Sequence, residues 1–135
     1  DHAPHSRDEK EVEYPDSPSG MPGVQTLVPI MLNHVNNEKL TLQRFVELTS
    51  YNPSRLFKIR GKGQIAIGYD ADFTVIDINK ERVITNDWIA SKCGWTPYNN
   101  MKVKGWPVMT IIRDNIVMKD DIVFDPLGEP MSFVR

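Results

Sequence analysis

Gly68-Tyr69-Asp70-Ala71-Asp72-Phe73-Thr74-Val75-Ile76-Asp77-Ile78 divides this chain in two. Its last six residues are dominated by β-branched and aromatic side chains and predict a strand over 73–78. Ahead of it, Gly63, Gly68 and Asp70 punctuate two short β-like segments, and beyond it Arg82-Val83-Ile84 predicts a short strand. Val108–Arg113 and Ile116–Lys119 read as two further strands joined by a two-residue turn, Asp114-Asn115. The stretch 87–107 between them reads as irregular and carries all three tryptophans.

Upstream of residue 60 the period changes. Val24, Leu27, Val28, Met31, Leu32 and Val35 fall at helical spacing and predict a helix over 24–36, kinked or restarted at Pro29. Thr41 reads as the N-cap of a second helix that buries Leu42, Phe45, Val46 and Leu48 and ends or breaks at Asn52-Pro53. Residues 1–23 have neither period. They are broken by Pro4, Pro15, Pro18, Gly20, Pro22 and Gly23, and the charge run Arg7–Glu13 reads as a solvated loop face. Helices followed by strands could mean α+β or the joined ends of two domains, and two domain pieces, 1–60 and 61–135, are the expectation.

Composition narrows the function. The 135 residues are 40% hydrophobic, and 16 Lys and Arg stand against 18 Asp and Glu. Near-neutral charge argues against a general grip on nucleic acid or an anionic membrane, and no apolar run approaches the length of a membrane span. One cysteine, Cys93, and a first apolar run that begins only after Gly20 predict a reducing, cytoplasmic setting without a secretory leader. The chain opens on Asp1, in the middle of what reads as a site, and so reads as a piece of a longer protein.

Asp1-His2-Ala3-Pro4-His5 gathers a carboxylate and two imidazoles, groups that bind zinc or move protons. The same pattern also suits a polar terminus, and a metal centre here would need ligands from elsewhere. His34, on a predicted helix, reads as a surface or core residue. Ser17–Gly23 would let backbone groups approach a ligand before a helix, or form only a turn, and it holds no phosphate-loop lysine. Cys93 has no base nearby in sequence and reads as structural; Trp88, Trp95, Tyr98 and Trp106 read as packing or as a pocket lining.

These motifs, taken in order, resemble the dihydroorotases of the amidohydrolase superfamily. Asp1–His5 resembles their DHAPH motif, and the likeness continues through Ser19–Gly23 with Gln25-Thr26 and through Thr49–Arg55. Lys62–Ile65 with Gly68–Phe73 is similar to KGxI…GxDAD, and Lys92–Tyr98 through Gly105 to the closing TP[FY]…G stretch. The resemblance implies an α/β fold, the C-terminal part of a (β/α)8 TIM-type barrel with its last strand end and helices, followed by part of a small β-sandwich. It implies reversible cyclisation of N-carbamoyl-L-aspartate to dihydroorotate, a step of pyrimidine synthesis, with one or two zinc ions. Asp1 is then a zinc ligand and general base, His5 a partner of the substrate carboxylate, and Ser19 and Gly20 hold the ring through backbone groups.

The family's HxH ligands, its other histidines and its substrate arginine lie outside this sequence, so the chain alone is expected to be inactive and to need the N-terminal remainder of the same protein. A homo-oligomer is expected from the family's habit of self-association. Gln25 stands where many relatives have Glu, and Asp114 where many have Gly. Hydantoinase or dihydropyrimidinase is the neighbouring reading, against which His5 argues, because those enzymes lack a polar donor there. A silent, assembly-type relative is the third, and Asp1 argues against it.

Overall fold

The computed structural model describes residues 2–125 and 128–134. Four short helical pieces precede one antiparallel sheet: α1 (Arg7–Lys10), α2 (Leu27–Asn36), α3 (Leu42–Val46) and α4 (Asn52–Leu56), then β1 (Phe73–Val83), β2 (Lys102–Ile112), β3 (Asn115–Lys119) and β4 (Ile122–Val123). The strands lie in sequence order, β1-β2-β3-β4. No helix among the described residues is long and apolar enough to cross a membrane.

The predicted first helix starts at Leu27 rather than Val24, and this removes the expected kink. Pro29 falls in the first turn, where a missing N–H is unpartnered in any helix. The side that meets the sheet also differs from the predicted stripe. Pro29 and Leu32 are buried, and Asn33 and Asn36 follow them on the sheet-facing side. Val24 and Leu27 stay 68% and 49% exposed.

Thr41 caps α3 as expected, its hydroxyl accepting from the Arg44 N–H at 3.1 Å. Asn52-Pro53 does not break the helix. The chain widens into a π turn over Glu47–Tyr51, the Asn52 N–H donates to the Glu47 carbonyl, and α4 continues with Pro53 in its first turn. Of the predicted buried face only Phe45 is buried; Leu42, Val46 and Leu48 each stay more than 40% exposed, because α3 packs on little besides α2 among the described residues.

The strands predicted at 73–78 and 82–84 merge into one, β1, which ends at Val83 and has irregular register at Val75/Ile76 and between Asp77 and Glu81. Asp77 Oδ1 accepts from the N–H groups of Asn79 (2.9 Å) and Lys80 (3.1 Å), which holds the detour. β2 begins at Lys102, inside the stretch expected to be irregular. Gly105 and Pro107 hide its period, yet Trp106 pairs with Asp77 and Pro107 with Ile76. The next turn falls one residue earlier than expected. Arg113 and Asp114 take positive φ (46° and 64°) and Asn115 pairs with Ile112. The cause is tertiary: Asp72 Oδ1 accepts from the Arg113 N–H at 2.9 Å and fixes the register.

Ile84, Val103 and Trp106 form the core, with Ile30 of α2 and Trp88, Tyr98 and Met101 packed against them. α2 is stitched to the sheet by polar contacts. Asn36 Nδ2 lies 3.0 Å from the Ile78 carbonyl and 2.9 Å from that of Lys104, and Asn33 Oδ1 accepts from the Lys104 N–H at 3.1 Å. These amides give partners to the Ile78 carbonyl, within the irregular stretch between Asp77 and Glu81, and to both backbone groups of Lys104.

Candidate functional site

Asp1 lies outside the described residues, so the geometry begins at His2. The segment 2–5 runs beside the loop 19–24. The Ala3 N–H donates to the Met21 carbonyl at 2.9 Å, and His2 Nδ1 accepts from the N–H groups of Gly23 (3.2 Å) and Val24 (3.4 Å). Gly20, at φ +97°, presses its backbone onto the Ala3 side chain, leaving no room for a Cβ. Predicted Ser19 and Gly20 therefore stand exposed beside the turn that carries His5. Across that turn the His5 N–H donates to the Ala3 carbonyl at 3.0 Å.

Past His5 the charge run is not featureless. Ser6 and Glu9 form a reciprocal cap on α1, with Glu9 Oε2 accepting from the Ser6 N–H at 2.7 Å and Ser6 Oγ accepting from the Glu9 N–H at 3.3 Å. The backbone hydrogen bond from Ser6, then its hydroxyl, hold the Glu9 carboxyl below its ordinary range. The same Oε2 stands 3.8 Å from His5 Nδ1, making Glu9 the acidic neighbour of the imidazole. Sequence reading missed Glu9 in this role, although Ser6-Arg7-Asp8-Glu9 spells a capping box. Lys10 Nζ donates to the Pro18 carbonyl and Ser17 Oγ donates to the Lys10 carbonyl at 3.0 Å, which closes the loop from behind.

The far side of the site is a strap, residues 86–99, between β1 and β2. Asn86 Oδ1 accepts from the Thr96 N–H at 3.0 Å, and Asn99 Oδ1 from the Asn86 N–H at 2.9 Å. Gln25 clamps the strap to the start of α2: its Nε2 donates to the Trp88 carbonyl at 2.7 Å and its Oε1 accepts from the Ala90 N–H at 2.8 Å. Trp95 Nε1 donates to the His5 carbonyl at 2.7 Å. Cys93 is half-buried with Ser91 Oγ at 3.3 Å and the Trp95 carbonyl at 3.7 Å, the surroundings of a structural thiol.

The other two tryptophans are packing. Trp88 and Trp106 meet at 4.7 Å between ring centroids, and both indole N–H groups donate to Asp121 Oδ1, at 3.1 and 3.3 Å. Arg82 pairs with Asp121 Oδ2 and lies over the Trp106 ring at 4.5 Å. Burial alone would raise the Asp121 carboxyl; the bonds from Arg82, Trp88 and Trp106 outweigh it and hold the group low.

The KGxI…GxDAD likeness turns out to be an ion cluster. Lys62 Nζ sits 2.7 Å from Asp70 Oδ2 and also pairs with Asp72. Gly63, at φ +91°, closes directly on Ser54 Oγ, and the Asp70 N–H donates to the Gly61 carbonyl at 2.9 Å. Burial opposes the charges here too, yet the Lys62 ammonium is held up by its two aspartates and Asp72 is held down by Lys62 and the Arg113 N–H. A shallow depression of about 370 Å³ over Tyr51, Ser54, Arg55 and Lys62 includes none of His5, Ser19 and Gly20.

Among the described residues no three His, Cys, Asp or Glu side chains gather as a metal site. His2 Nδ1 is committed to the loop, and His5 faces Glu9. The described residues do not by themselves fit a zinc ion.

Residues 19–117 match the amidohydrolase family. The chain is 45% identical over 130 residues to a dihydroorotase of Pyrococcus furiosus, covering 96% of this chain and 30% of that protein. It is 43% identical over 124 residues to a dihydroorotase of Methanosphaera stadtmanae, covering 92% and 29%. Among solved structures, an L-hydantoinase (dihydropyrimidinase) from Arthrobacter aurescens superimposes with a TM-score of 0.78 at 30% identity, over 82% of this chain and 25% of that one. The chain thus spans about 30% of the length of the curated relatives it matches.

Proposed function

Because this chain belongs to the amidohydrolase family, we propose that it is the C-terminal portion of a dihydroorotase, a hydrolase of cyclic amides that interconverts N-carbamoyl-L-aspartate and dihydroorotate. The observation that carries this reading is 45% identity to a dihydroorotase across 96% of the chain, with the DHAPH segment included in its sequence. Residues 1–60 are then the closing part of a barrel and 61–135 a segment of a β-sandwich. The N-terminal remainder of the same protein is the partner that covers Val24, Leu27, Leu42 and Val46, apolar side chains that are more than 40% exposed here. A homo-oligomer of the complete protein is part of the same proposal.

In this reading His5 receives the substrate carboxylate, on an imidazole that keeps 38% of its surface open. Backbone groups of Ser19 and Gly20 orient the ring, on a loop held in place by His2 and Ala3. The Asp1 carboxylate takes a proton from the attacking water and returns it to the departing ring nitrogen. Zinc, which would lower the pKa of bound water and polarise the carbonyl, would rest on Asp1 and on ligands outside this sequence.

Hydantoinase is the second reading, favoured by the solved structures. His5 weighs against it, since a free carboxylate needs a polar partner that a hydantoin does not. The complete protein, loaded with zinc, should turn over dihydroorotate and N-carbamoyl-L-aspartate with a kcat/KM at least a hundredfold above that for hydantoin or dihydrouracil. The reverse preference would replace this reading with the second.

A further inference from the structure

We propose that Trp95 is a positioning residue for His5, so that the strap between β1 and β2 sets the recognition of the substrate carboxylate. The inference rests on the reading of His5 given above. Both peptide groups of His5 are engaged: its N–H donates to the Ala3 carbonyl at 3.0 Å, and its carbonyl accepts from Trp95 Nε1 at 2.7 Å. Together these bonds fix the peptide planes on either side of the Cα, and with them the direction of the Cα–Cβ bond. Among the described residues the imidazole has only Glu9 as an ion-pair neighbour, at 3.8 Å, so its aim is set from its backbone.

Trp95 can hold that carbonyl because its own segment is fixed. Thr96 is 4% exposed, its N–H is bonded to Asn86 Oδ1, and its Oγ1 accepts from the Tyr98 N–H at 3.3 Å. The other limb of the strap is gripped by Gln25, which belongs to the same loop-to-helix segment that carries Ser19 and Gly20. One strap therefore braces both halves of the proposed carboxylate and ring site from outside.

The test uses the complete, zinc-loaded protein and Trp95→Phe, which keeps a ring in place and removes only the donor. KM for N-carbamoyl-L-aspartate should rise about 3- to 10-fold with kcat within twofold. In a His5→Ala background the same substitution should leave KM unchanged, because there is no imidazole left to aim. A loss of kcat and KM alike in both backgrounds, or an unchanged KM in the first, would overturn the inference.

The His5 Cε1–H resonance in ¹³C-histidine-labelled protein gives a reading independent of turnover. Trp95→Phe should shift or broaden it while the His34 signal stays put, and an unmoved His5 signal overturns the inference. If the unsubstituted protein turns over neither substrate, the functional reading fails. The NMR result then decides the positional inference alone.

Discussion

Gly105 of β2 and Leu32 of α2 meet so closely that a Cβ added to the glycine would stand 2.5 Å from the Cβ of the leucine. Gly105 also holds φ at +99°, a conformation that costs other residues about 1–3 kcal/mol. Gly105→Ala should therefore destabilise the complete protein by about 2–4 kcal/mol once overpacking is added. Leu32→Ala cannot relieve the clash, since alanine keeps the offending Cβ. An unchanged melting midpoint for Gly105→Ala would mean that helix and sheet part there at no cost.

Asp121→Asn keeps the shape of the side chain but removes the charge that two indoles and Arg82 share. A loss of about 1 kcal/mol is expected, at the low end for charged hydrogen bonds because Arg82 is partly solvated. Tryptophan emission should shift together with the midpoint. A stability loss without any spectral change would place the effect away from Trp88 and Trp106.

Gln25→Glu should loosen the strap. A carboxylate still accepts from the Ala90 N–H, yet it cannot donate to the Trp88 carbonyl, and the two oxygens then repel. Trypsin cleavage after Lys92, in the middle of the strap, should become several-fold faster. Equal cleavage rates would show that the Gln25 amide does not hold the segment.

Stability should fall at both ends of the pH range for separable reasons. Asp72 and Asp121 bind their protons more weakly folded than unfolded. Their contribution is therefore present above about pH 4, near the ordinary aspartate value, and is lost as pH drops through their lower folded values. Lys62 is held up, so its contribution is complete below about pH 10.4 and is lost as pH rises further. Lys62→Met should flatten the alkaline fall and shrink the part of the acid fall that belongs to Asp72. Melting curves from pH 3 to 11 whose wild-type and variant limbs run parallel would contradict this.

Asp1→Ala should cost several orders of magnitude in turnover, because it removes a proposed base and ligand together. Turnover within about tenfold of the unsubstituted protein would dismiss that role. His5→Ala should chiefly raise KM. If it instead stripped the metal and left substrate affinity alone, His5 would be a ligand and not a carboxylate partner.

What could be read from sequence was whatever a single side chain dictates to its own neighbourhood. Thr41 announces a cap, and the β-branched run at 73–78 announces a strand, because both effects act within a turn or a pleat. Misreadings came where a distant group decides. Asp72 moves the hairpin turn from Asp114-Asn115 to Arg113-Asp114, and Asn33 and Asn36 turn the polar side of α2 toward the sheet. The strand at 102–107 was hidden by Gly105, whose reason for being glycine is Leu32 on another element. For the proposed site, the motif residues were legible while their supports were not. Glu9 was written in a capping box; Trp95 and Gln25 lie inside the quoted motifs, but they act across 90 and 65 positions of sequence, and no local pattern announces what they hold.

That separation also dictates an order of events in the living cell. His5 emerges from the ribosome 90 residues ahead of the indole that holds its carbonyl. At about 5–20 residues per second, the turn bearing His5 waits roughly 5–20 s for that brace to be synthesised. During translation the proposed recognition turn is made early and completed late, so a truncated product ending before Trp95 carries the whole DHAPH stretch without the indole that holds the His5 carbonyl.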